Sequence, residues 1–83
     1  PASPLDAEIA TLRRTLETRR AALDTATVRV LEANLAILDG AIRESRAALV
    51  EEPTSQLLHE QLNHALDAKL ELMRTAVILS GDD

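Results

Sequence analysis

The residues most suggestive of chemistry lie in the string His59-Glu60-Gln61-Leu62-Asn63-His64. It imitates the zinc-protease motif, in which two histidines four apart chelate the ion and a glutamate serves as base. Here the histidines are five apart. Five residues turn an ideal helix through about 140°, so the two imidazoles diverge. The spacing predicts surface histidines rather than a metal site. Carboxylates are plentiful, with fourteen Asp and Glu. Glu32 and Asp39, seven apart, fall on one side of a helix. A di-iron bundle would need Glu-x-x-His on facing helices, and that pattern does not occur. These acids instead suggest flanking salt bridges, for example to Lys69 or Arg46. Ser45, Glu44 and His59 form no credible triad, because nothing in the pattern supplies an oxyanion hole. Two glycines in all leave no phosphate-binding loop. We expect no catalysis, no cofactor and no metal.

Composition narrows the classes further. The 83 residues suffice for one small domain, and 46% hydrophobic with 28% charged is the balance of a globular chain rather than a disordered one. The absence of cysteine excludes disulfides, thiolate nucleophiles and cysteine-ligated metal. With no aromatic residue there is no base-stacking platform. A net charge of −5 has the wrong sign for gripping a phosphate backbone, so no nucleic-acid partner is expected. The cluster Arg13, Arg14, Arg19 and Arg20 is interleaved with Glu8 and Glu17 and reads as a solvated helix face. Pro1-Ala2-Ser3-Pro4 reads as a linker remnant, and we expect an excised piece of a longer protein. No stretch approaches the roughly 18 apolar residues of a membrane span.

The elements that position these residues are helices. Ser3 is a candidate cap, with Pro4 suited to the first helical position. Leu5, Ile9, Leu12, Leu16 and Leu23 then recur at helical spacing, giving a first helix over 4–23. Asp24 or Thr25 caps the second, over 26–51, after a tight corner. Val28, Leu31, Leu35, Leu38, Ile42, Ser45 and Leu49 alternate steps of three and four, a coiled-coil-like seam. Val30 and Ile37 lie off that seam as a second apolar surface. A helix with two such faces is the central element of a bundle or the shared element of an oligomer. Gly40 lies opposite the seam and either permits a close helix approach or has no packing role. Pro53 breaks the chain, and Thr54 or Ser55 caps a third helix over 54–79. Leu58, Leu62, Ala65, Leu66, Leu70, Met73, Ala76 and Val77 form its broad apolar face, reaching to about Leu79, with Lys69 near the centre. Lys69 either snorkels or pairs with Glu32 or Asp39. Gly81-Asp82-Asp83 is a helix stop and polar tail. The expected fold is all-α, three long antiparallel helices in one domain. Long helices with a thin core point to a homodimer. The surface expected to pack against a second chain comprises Val28, Val30, Leu31, Leu35, Ile37, Leu38, Ile42, Leu49, Leu62, Leu66 and Met73. The tetrapeptides Arg20–Leu23 and Arg46–Leu49 recur 26 residues apart, but the match ends there and is not a repeat.

The stretch Leu23 to Asp39 resembles a segment of pattern L-D-x-x-T-x-x-V-x-E-x-N-L-x-x-I-D, with Leu38 where the pattern has Ile, in the region that follows the membrane helix in bacterial zinc-finger-type anti-sigma factors. The likeness continues through Ala41-Ile42, Ser45–Leu49, Gln61-Leu62 and Lys69–Ala76. It implies a helical, extracytoplasmic regulatory domain, attached to the membrane only through a preceding span. Neither the His-Cys-Cys zinc module nor the span occurs in this sequence. What the resemblance implies is therefore the sensory or oligomerising part, not sigma-factor binding. The competing expectation is a helical adaptor whose groove holds an amphipathic partner helix.

Overall fold

The computed structural model describes residues 4–81. Three α-helices, α1 (Pro4–Arg19), α2 (Thr25–Glu51) and α3 (Gln56–Leu79), pack against one another, and no strand occurs among the described residues. The Cα envelope measures 43 × 23 × 14 Å. The long dimension is close to that of α2, whose 27 residues span about 40 Å at 1.5 Å each.

Helix α1 ends four residues earlier than its apolar stripe predicts. Thr15 and Thr18 turn their hydroxyls back onto the carbonyls of Thr11 and Thr15, at 3.2 and 2.8 Å. Such bonds compete with regular helix geometry. Arg20–Ala22 then tighten into a single 3-10 turn. Leu23 is extended, and Asp24 caps α2 with its carboxylate accepting from the Thr27 N–H at 2.7 Å. The corner is thus tight, not a continuous bent helix. At the next junction Ser55 is the cap, accepting from the Leu58 N–H at 3.2 Å. Gly81 adopts φ +85°, a left-handed conformation that glycine enters without steric cost, just past the end of α3. The expected cap Ser3 and the acids Asp82 and Asp83 lie outside the described residues.

The core joins Ile9 of α1 to Ile42 of α2 and to Ala65, Leu66, Leu70 and Met73 of α3, with Leu5, Leu12, Leu16, Leu35 and Leu62 packed around it. Helix α3 contributes most of the buried side chains and contacts both other helices. Of the two roles open to α2, central element of the bundle or shared element of an oligomer, the first falls to α3 within this chain. The reason is the width of the two apolar faces. On α3, Ala65 with Leu66 and Ala76 with Val77 are adjacent pairs, about 100° apart on the helix, and so reach two neighbours. On α2 every position of the seam from Val28 to Leu49 is buried or half-buried, while the second stripe is left outside.

Candidate interaction surface

Helix α1 lies over one side of the α2–α3 pair. The other side carries an open apolar groove to which α1 contributes no lining residue. Its upper part is walled by Ala26, Val30 and Leu31 of α2 and by Leu72, Ala76 and Leu79 of α3. The lower part is mixed in character, with Glu44, Gln61 and His64 among the small side chains of Ala41, Ala48, Ala65 and Ala68. Val30 is 62% exposed and Ile37, seven residues on and about 20° round the helix, is 70% exposed. Leu79 is also exposed at the groove's end.

Of the residues expected to pack against a second chain, the structure therefore leaves two fully available, Val30 and Ile37. Ile42, Leu66 and Met73 are consumed by the chain's own core. Val28, Leu31, Leu35, Leu38, Leu49 and Leu62 are half-buried along it. Sequence reasoning missed Leu57, Val50, Ile78 and Leu79, all exposed. For Leu79 the reason is geometric: it lies about 60° beyond the edge set by Ala76. A helical-wheel projection of α3 with Lys69 and Met73 at its centre finds it.

Several of the polar residues first considered for chemistry stand in ion pairs or hydrogen bonds. Lys69 is only 7% exposed, and its Nζ donates to Asp39 Oδ1 at 2.5 Å. Glu32, the other expected partner, pairs instead with Arg20 at 2.8 Å, while Arg46 reaches Asp6 of α1 at 2.9 Å. Arg74 bridges Glu71, at 3.0 Å, and Glu8, and its hydrogen bond to Glu8 holds the guanidinium above the ordinary arginine range. Asp24 is held below the usual carboxylate range, chiefly by the backbone N–H of Thr27. His59 Nε2 lies 2.9 Å from the Pro53 carbonyl oxygen, and His64 is exposed. Among the described residues no group of three or more His, Cys, Asp or Glu converges as a metal site, and no helix is long and apolar enough to cross a membrane. Around Gly40 an added Cβ would meet only Arg43, at 3.9 Å, so no close helix approach within the chain requires it.

No protein-family model, no curated protein and no solved structure matches this chain.

Proposed function

We propose that the chain is a non-catalytic helix-packing module whose open α2–α3 face is covered by a second copy of itself. The observation that carries this reading is the exposure of Val30 and Ile37 beside an apolar groove that α1 leaves uncovered. Contiguous apolar surface of this kind is characteristic of association sites. In the arrangement we infer, α2 and α3 run antiparallel, which suits the pairing of Asp39 with Lys69 across a four-residue connection. Helix α1 then runs antiparallel to α2, in keeping with Asp6 against Arg46 and Arg20 against Glu32. A two-fold pairing of the free faces makes an inner four-helix layer with an α1 on each outer side.

On the sequence resemblance, such a module is the self-associating, extracytoplasmic part of an anti-sigma-type regulator. A span and a zinc module encoded upstream of Pro1 in the full gene would support that placement, and their absence there would remove it. The same groove also accommodates an amphipathic helix of a different protein, which is the adaptor reading. Light scattering separates the two. Self-association predicts a dimer for the isolated chain and a monomer for Ile37→Asp, with helicity kept in both. A wild-type chain that stays monomeric at every concentration contradicts it.

A further inference from the structure

We propose that the second copy docks through an antiparallel α2–α2 contact with Ile37 at the two-fold axis, held by reciprocal Arg29–Glu44 ion pairs. This inference rests on the self-association reading and specifies its register. Among the described residues four charges on α2 have no ion-pair partner, Arg29, Arg43, Glu44 and Glu51, and of these Arg29 and Glu44 stand nearly symmetrically about Ile37. Among the described residues Glu44 has no ion-pair partner, and its helical neighbours Gly40, Ala41, Ala47 and Ala48 supply none. Arg29 likewise has none, because the acid nearest it, Glu32, is taken by Arg20 at 2.8 Å. Both side chains are exposed.

Within one copy these charges are about 22 Å apart along the helix axis and cannot meet. An antiparallel partner removes that separation. Arg29 lies eight residues before Ile37 and Glu44 lies seven after it. With Ile37 at the axis, each Arg29 therefore stands within one residue, about 1.5 Å, of the level of the partner's Glu44. The same register sets Ala33 level with the partner's Ala41, so small side chains flank the Ile37 pair on either side. It turns the Glu44 carboxylate, which follows Val30 and Ile37 at seven-residue spacing, from a desolvation cost into half of an ion pair made twice. A parallel α2 pairing would stack Arg29 on Arg29 and Glu44 on Glu44, which like-charge repulsion disfavours.

The test is sedimentation equilibrium on the full 83-residue chain, with circular dichroism to check helicity. Arg29→Glu and Glu44→Arg are each expected to raise the dimer Kd about tenfold, since each breaks two ion pairs and adds repulsion. The double variant Arg29→Glu/Glu44→Arg restores the pairs with their signs exchanged and returns the Kd close to wild type. A wild-type dimer indifferent to all three variants overturns this register while leaving self-association standing. A wild-type monomer overturns self-association itself. As a second measurement, Ile37→Cys, the sole cysteine of that variant, should form a covalent dimer with a short bis-maleimide at dilute concentration, whereas Val50→Cys should not. Equal cross-linking of both refutes the placement of the axis.

Discussion

Replacing Asp39 by asparagine strands a charge inside the protein. The Lys69 ammonium sits on a residue 7% exposed and donates to Asp39 Oδ1 at 2.5 Å. Breaking a fully buried pair by removing one partner costs about 3–5 kcal/mol. Here the Asp39 side chain is 41% exposed, so water screens that end of the pair. We therefore expect Asp39→Asn to cost about 2 kcal/mol, between the buried and surface limits. At roughly 4–8 °C per kcal/mol for a domain of this size, Tm falls by about 10 °C. Lys69→Met behaves differently. It keeps a long apolar stem among Leu66, Leu70 and Met73 while removing the charge, and should fall within about 1 kcal/mol of wild type. The double variant Asp39→Asn/Lys69→Met should then resemble Lys69→Met, because nothing remains stranded. The assay is urea unfolding followed by circular dichroism at one fixed protein concentration, since association adds to apparent stability. If Lys69→Met costs as much as Asp39→Asn, the attraction of the pair rather than the penalty of an orphaned ammonium governs, and the reasoning fails.

Other outcomes follow from the same structure. Gly40→Ala should stabilise the chain by about 1 kcal/mol, because an added Cβ meets only Arg43 at 3.9 Å and glycine is the poorer helix former; a destabilised variant in urea melts refutes this. Ser55→Ala should cost about 1 kcal/mol by leaving the Leu58 N–H without its cap, with loss of exchange protection confined at first to the start of α3. Asp24 gives a pH dependence of known sign. Its carboxyl titrates lower in the folded chain than its ordinary value of 3.8, so the stability it adds is fully present above that value and disappears as pH falls through the folded one. Asp24→Asn should flatten that part of the acid limb of a stability–pH curve, and an unchanged limb would show that the cap does not titrate as described.

Much of the fold was legible in the residues. The seam from Val28 to Leu49 and the face from Leu58 to Val77 announce themselves by period, and Asp24 and Ser55 by being short acceptors ahead of apolar runs. Lys69 in the middle of an apolar face required a partner, and Asp39 was one of two acids placed to supply it. The end of α1 was not legible, because Leu23 continues the stripe and the hydroxyl back-bonding of Thr15 and Thr18 depends on side-chain rotamers that periodicity does not encode. Which helix is central was also hidden. A wheel shows that α2 has two stripes and α3 one broad face, but only packing against Ile9 and Leu16 decides which face α1 covers. The candidate surface was correspondingly half visible: Val30 and Ile37 stood out, whereas the exposure of Leu79 depends on where the third helix meets the second.

The central claim is that the face α1 leaves open is covered by another copy. Sedimentation equilibrium of the wild-type chain over a hundred-fold range of concentration tests it most directly. The account predicts a single monomer–dimer equilibrium that Ile37→Asp shifts to monomer while leaving helicity intact. A chain that sediments as one 9.0 kDa species throughout, as helical as the wild-type fold requires, would contradict it.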